Sequence, residues 1–432
     1  MWLLIASYFF YMCWHVNHVV LLLFATGVSY VGGLLIAKAK SQNAKKVLLG
    51  FSITGILAVL FLFKYVKWEK ITLPMGISFY SFQAISYLID VYRGDTEIEK
   101  NPFRFALYIS FFPQLVAGPI ERSKNLLGQL REKHPFNFEM FRDGMLLMLW
   151  GFFLKVFLAD RIAVYVDFAY GNYNSYPGAY LVLATVLFAV QIYCDFYGYS
   201  IIAMGSAKIL GIKLMENFDT PYYAKTVGEF WRRWHVSLTS WFKDYVYIPL
   251  GGSRKGTIRK YLNKMIVFLL SGLWHGADLS FVVWGGLNGF YQVAGEATEK
   301  VRKKITLRSR VGKAAITFLL VDFAWIFFRA ASIKEACGII KSIFTTFNPW
   351  VLTDGSIYTC GLGHYHFTLV IIGLFILGIA DFCKLKGICI REKIIKLELP
   401  VRWTIYILAF LGIMIFGFYS EGAGISFIYF QF

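Results

Sequence analysis

Long apolar runs separated by short basic connectors set the pattern of this chain. Val19–Ala37, Val47–Phe63, Tyr180–Cys194, Leu279–Gly295 and Trp403–Tyr419 contain no acidic or basic side chain. Met145–Tyr170 carries several polar interruptions, Ala314–Phe328 is broken by Asp322, and Phe367–Ala380 is short. A membrane-spanning helix needs about 20 mostly apolar residues, so the pattern predicts about nine to eleven membrane-embedded helices. The runs are continuous, whereas strands of a membrane barrel alternate over about ten residues; helices are therefore expected. The first stretch, MWLLIASYFFYMCWHVNHVV, has no basic leading segment and no small-residue cleavage site, and reads as a retained helix.

Composition agrees. The 432 residues are 57% hydrophobic, 19% aromatic and 16% charged, with a mean hydropathy of +0.56. Soluble domains carry about 25% charged residues, so this chain has too little polar surface to cover a water-soluble particle. Six scattered cysteines with no CxxC pair exclude a disulfide framework. The net charge of +18 collects in the connectors Lys38–Lys46, Lys64–Lys70, Arg254–Lys264, Lys300–Lys313 and Lys384–Lys396. Retention of positive loops in the cytosol and anionic lipid headgroups explain that charge, and nucleic acid is not an expected partner. Basic connectors flank Val47–Phe63 on both sides, which leaves a re-entrant helix and a different topology both open there. No linker, repeat or low-complexity tract divides the chain. The expected organisation is one all-α, polytopic integral membrane domain over residues 1–432.

Ionisable groups inside hydrocarbon are costly and mark candidate sites. His275 lies in LLSGLWHGADLSFVVWGGLNG, between long uncharged runs. Apolar burial favours the neutral imidazole, which can accept a hydroxyl proton in acyl transfer. Gly272 with Gly276 and Gly285 with Gly289 give small-xxx-small spacings for close helix packing, with room for an extended substrate as a second reading. His235 lies in EFWRRWHVSLTSWFKDYVYIPLGG. There Trp231, Trp234, Leu238, Trp241 and Tyr245 recur as one helical stripe, which predicts a helix at headgroup level with His235 beside its aromatic face. An interfacial structural role and a catalytic one fit that pattern equally.

Other candidates are weaker. In PLGGSRKG, Arg254 and Lys255 beside two glycines offer a phosphate site for a thioester donor, although an ordinary basic loop is commoner. The GxxxxGK[ST] pattern is absent, so nucleoside triphosphate binding has no support. Asp195 and Asp322 either orient an imidazole or serve the helices structurally, with structure favoured. His364 and His366 have no carboxylate or cysteine at ligand spacing, so no metal site is expected. No GxSxG elbow occurs, which disfavours a covalent serine hydrolase.

Several segments resemble the membrane-bound O-acyltransferase family, in its bacterial alginate O-acetylase branch. They are MGISFYSFQAISYLIDVYRG, FFPQLVAGPIER, DFYGYS, ENFDTPYYAKTVGEFWRRWHVSLTSWFKDYVYIPLGG, LWHGA and the terminal FIYFQF. RRWHVSL followed 40 residues later by LWHGA (275 − 235) is the specific part. The resemblance implies a ring of tilted helices around a thin centre, in a protein of the plasma (inner) membrane. It implies that His275 is catalytic, as general base or acyl relay, and that His235 supports it. It further implies a cytosolic thioester donor, acetyl-CoA or an acyl carrier, with no permanently bound cofactor. The acceptor would be an extracytoplasmic polysaccharide, alginate-like or another exopolymer or cell-wall glycan, with a separate extracytoplasmic Ser-His-Asp acetyltransferase as partner. Two features depart from the family. Relatives commonly have a further hydrophobic segment before the equivalent of this start, and they usually carry an acidic residue after GYS, where Ile201 stands here.

Two rival functions follow. D-alanyl transfer to teichoic acid from an acyl carrier protein is the alternative within the family. A transporter or polysaccharide export channel is the alternative from another class; such proteins commonly show duplicated halves, and none is visible in this sequence.

Overall fold

The computed structural model describes residues 1–66, 74–299, 309–419 and Phe427. Parts of the Lys64–Lys70 and Lys300–Lys313 connectors, and FIYFQF beyond its first residue, lie outside the described residues. In chain order, the long apolar helices and those around the two histidines are α1 (Val16–Lys38), α2 (Gln42–Tyr65), α3 (Gly178–Ile209), α4 (Val227–Arg233), α5 (Val236–Phe242), α6 (Thr257–His275), α7 (Leu279–Ala297), α8 (Arg310–Arg329), α9 (His364–Leu385) and α10 (Leu399–Phe416). No strand occurs among the described residues.

Six of these, α1, α2, α3, α8, α9 and α10, are long and apolar enough to cross a bilayer. Only 6% of the apolar window of α10 and 17% of that of α2 is buried by the rest of the protein. Side chains such as Phe51, Phe375 and Leu408 are exposed, and the hydrophobic effect would forbid so much bare hydrocarbon in water. Lipid is the solvent of those faces. α3 is the opposite case, with 78% of its window buried in protein.

Two expected runs have different limits. The run expected over Trp403–Tyr419 begins earlier, at Leu399, because Pro400 is suited to the first helical turn. It ends at Phe416, where Gly417 turns extended. The run over Tyr180–Cys194 continues through Asp195 to Ile209, because a partner described below neutralises that carboxylate. The polar interruptions of Met145–Tyr170 have a structural counterpart too. Two α-helical stretches there, Phe138–Phe152 and Asp160–Gly171, are joined by a π-helical segment, Phe153–Ala159. Such segments are rare and frequent at functional sites.

The helices gather into two compact units, each drawn from separate stretches. The first comprises Met1–Met148, Ser200–Asn217 and Ser237–Leu250; the second comprises Leu149–Tyr199, Phe218–Val236 and Gly251–Phe432. In the first, Trp241 stacks on Phe82 at 3.9 Å between ring centroids and donates its indole N–H to the Phe82 carbonyl. Asp90, buried in the same unit, accepts from Tyr245 at 2.7 Å and from Ser123 at 3.3 Å.

In the second unit, α6 and α7 form a tight antiparallel hairpin. Asp278 caps α7 by accepting from the Ser280 amide at 2.7 Å. Lys260 and Lys264 on α6 both pair with Glu296 near the end of α7, at 2.7 and 2.6 Å. The glycines permit the approach. A Cβ on Gly272 would lie 2.3 Å from the Phe281 carbonyl oxygen, and one on Gly285 would lie 2.3 Å from that of Phe268. Backbone cannot retreat as a flexible side chain can. Gly285→Ala is therefore expected to destabilise the protein by about 1–3 kcal/mol, the usual range for overpacking. Chemical unfolding of the detergent-solubilised variant tests this, and an unchanged midpoint refutes the packing argument.

Candidate active site

The site grows from the end of that hairpin. His275 is the last residue of α6, and Gly276–Asp278 make the link to α7. A Cβ on Gly276 would sit 2.2 Å from the Phe281 ring, so only glycine fits behind the histidine. The small residues thus admit Phe281 and neighbouring backbone rather than leaving an open space for substrate. The imidazole is 97% buried (3% exposed). Its walls are aromatic: Trp274 at 4.8 Å, Trp284 of α7 at 5.0 Å and Phe328 of α8 at 5.2 Å between ring centroids, all nearly edge-on.

His235 belongs to the same unit. Thr226 caps α4 by accepting from the Glu229 amide, and Glu229 pairs with Arg233 at 2.9 Å. The helix then stops. Trp234 is extended (φ −102°, ψ 130°) and His235 takes a left-handed backbone with φ +43°. The continuous stripe expected from Trp231 to Tyr245 is therefore broken at the histidine. Trp231 and Trp234 pack in the second unit, while Trp241 and Tyr245 pack in the first. Trp231, Trp234 and Trp241 are buried in protein, not displayed at headgroup level. Histidine is among the few non-glycine residues that visit this backbone region. Holding it there costs on the order of 1–3 kcal/mol, and such outliers cluster at functional sites.

Once turned in, His235 is fully buried. Phe196 meets it edge-on at 4.6 Å, and Trp274 lies 6.2 Å away. The two histidines of the sequence motifs thus both neighbour one indole ring, that of Trp274. His235 lies outside the six spanning helices, and burial pushes its pKa down to about 3, so it is neutral at physiological pH.

Behind Phe196 lies a buried ion cluster. Lys155, in the π-helical segment, pairs with Asp195 and with Asp160, both at 2.7 Å. Side-chain exposures of 8%, 4% and 12% place all three in the interior. The Asp195 that sequence reasoning singled out is thus partnered by a lysine. Sequence reasoning missed Lys155 and Asp160 as its partners; their only signal was as charges interrupting an apolar stretch.

Asp322 is also buried, at 8% exposure. It sits on α8 one turn before Trp325, which stacks on Trp284 at 5.7 Å. Arg254 and Lys255 are exposed on a loop in which Gly251 and Gly252 have positive φ. Asn263 ties that loop to α6 by donating to the Gly252 carbonyl at 3.0 Å. His364 stacks on Tyr358 at 3.6 Å, and His366 accepts from Arg161 at 3.4 Å. These two histidines have packing and hydrogen-bonding roles.

Comparison with known proteins identifies the family. Residues 99–333 match the model of MBOAT, the membrane-bound O-acyltransferase family. The chain is 38% identical over 376 residues to the probable alginate O-acetylase AlgI of Pseudomonas putida, covering 82% of this chain and 76% of that one. It is 31% identical over 385 residues to the peptidoglycan O-acetyltransferase of Helicobacter pylori, covering 79% and 73%. Likeness to the teichoic acid D-alanyltransferase of Bacillus subtilis is 27% over 243 residues, or 53% and 60%. Apolar spanning helices, paired motif histidines and matches over most of the length lead to one conclusion: the chain belongs to the membrane-bound O-acyltransferase family, in its alginate O-acetylase-like branch.

Proposed function

We propose that this acyltransferase moves an acetyl group from a cytosolic thioester, acetyl-CoA or an acyl carrier, to a hydroxyl of an extracytoplasmic polysaccharide. An alginate-like polymer or a cell-wall glycan is the acceptor class, and a separate Ser-His-Asp acetyltransferase completes delivery. The observation that carries the reading is the pair of buried histidines that both neighbour Trp274, in a chain related to two named O-acetylating enzymes.

His275 is the general base. The acceptor oxygen, of a sugar hydroxyl or of the partner's serine, attacks the thioester carbonyl carbon while its proton passes to the imidazole. The C–O bond forms, the C–S bond breaks, and the imidazole returns the proton to the leaving sulfur. His235 supports the wall formed by Trp274. Aromatic surroundings exclude water, which would otherwise hydrolyse the thioester. Passing only the acyl group through the membrane avoids desolvating the charged carrier.

Deleting the gene tests the reading. Envelope polysaccharide is expected to lose its ester-linked acetate and regain it on complementation. Unchanged acetate with lost D-alanyl ester would instead establish the teichoic acid alternative. Unchanged acetate with lost polymer export would establish a channel.

A further inference from the structure

The second unit holds an unpartnered carboxyl on α8, the helix whose Phe328 packs against His275. Asp322 is 92% buried (8% exposed), and its Oδ1 has no hydrogen-bond partner among the described residues. Two tyrosines close enough to feel its charge, Tyr222 and Tyr170, commit their hydroxyls elsewhere. Tyr222 donates to the Ala189 carbonyl at 2.6 Å, and Tyr170 pairs with Thr185 at 3.0 Å. A buried polar atom left unsatisfied is costly and calls for an explanation. Inside a membrane protein it points first to substrate.

Its position in the helical framework says which part of a substrate. Lys260, Lys264 and Glu296 mark one end of the α6–α7 hairpin, and His275 marks the other. α8 starts with Arg310 and Lys313 and ends beside His275, through Phe328, where the last-turn Arg329 is neutralised by Asp167. Asp322 precedes Phe328 by six residues (328 − 322), about 9 Å along the helix at 1.5 Å per residue. It therefore lies between the basic end of α8 and the histidine. Basic helix ends face the cytosol, the side from which a thioester donor enters.

We infer that Asp322 accepts a hydrogen bond from an amide N–H of the donor's pantetheine arm and so positions the thioester at His275. CoA and acyl carriers present their thioester on the same arm, and its amides need acceptors once drawn out of water. The inference rests on the proposed thioester reaction and makes Asp322 a positioning residue for it.

The test uses membrane vesicles that contain the full-length protein and acetylate their own polysaccharide from added acetyl-CoA. Asp322→Leu is expected to raise KM for acetyl-CoA about ten-fold or more, with kcat within about two-fold. Asp322→Asn keeps an acceptor oxygen and is expected to stay near wild type. Truncated donors give a second readout: S-acetyl-N-acetylcysteamine retains one amide, and S-ethyl thioacetate has none. The wild type is expected to prefer the first by about ten-fold, and the preference should collapse in Asp322→Leu and persist in Asp322→Asn. Because leucine removes an unpartnered buried carboxyl, that variant should fold at least as stably as wild type; improved stability with impaired donor use is not what a structural role gives. An unchanged KM and donor preference in a folded Asp322→Leu protein overturns the inference alone. Wild-type vesicles that use neither a CoA nor a carrier thioester overturn the proposed reaction and this inference with it. Equal responses to acetyl-CoA and to an acetylated carrier support the shared arm; a defect confined to one overturns the common role.

Discussion

Cells that carry His275→Ala at the normal protein level are expected to lose envelope acetylation by a factor of about 10² to 10⁴, the usual contribution of a positioned general base. The size follows from the surroundings. Trp274, Trp284 and Phe328 enclose the imidazole, and none of them can accept a proton. His235 cannot substitute, because Trp274 stands beside it and its own ring faces Phe196. The substitution should leave the fold intact, since His275 ends its helix and the hairpin is held by glycine contacts and by Lys260 and Lys264 on Glu296. Acetate released by mild alkali, normalised to protein level, is the measurement. Wild-type acetate in the variant would remove His275 from the chemistry.

The second large effect is on stability. Lys155→Met is expected to destabilise the protein by about 3–5 kcal/mol, the range found when one member of a buried ion pair is removed. The lysine pairs with both Asp160 and Asp195 at 2.7 Å, and its loss leaves two buried carboxylates without that shared counter-charge. The triple change Lys155→Met, Asp160→Asn and Asp195→Asn removes every charge at once and should restore most of the loss, since uncharged buried groups carry no ionic desolvation cost. Chemical unfolding in detergent distinguishes the two. A Lys155→Met protein as stable as wild type would mean that the cluster is open to water.

How much of this was legible in the sequence depends on the range of each signal. His275 could be read locally, because an imidazole between uncharged runs has few places to be other than a membrane interior. Gly272 and Gly285 were legible as a packing code for the same reason: their spacing is a property of single helices. The aromatic walls were not, since Trp284 and Phe328 reach His275 from two later helices. Asp195 attracted notice, but its partner lies 40 residues earlier (195 − 155), and nothing in either segment states the pairing. The break at His235 was hidden by arithmetic. Tryptophans at helical spacing continued across it, and with no glycine or proline at the turn, only the tertiary fold could reveal a histidine in a left-handed backbone. The family resemblance supplied what local patterns could not, namely that two distant histidines belong together.

The enclosure of His275 by α8 also has a bearing on biogenesis. During synthesis the His235 turn leaves the ribosome 40 residues ahead of His275 and 93 residues ahead of Phe328 (328 − 235). Until α8 has entered the bilayer, the imidazole lacks its third aromatic wall, and a thioester could be hydrolysed there without reaching an acceptor. The closed site therefore arrives late in translation, and a chain that stalls before residue 328 leaves His275 without its third aromatic wall.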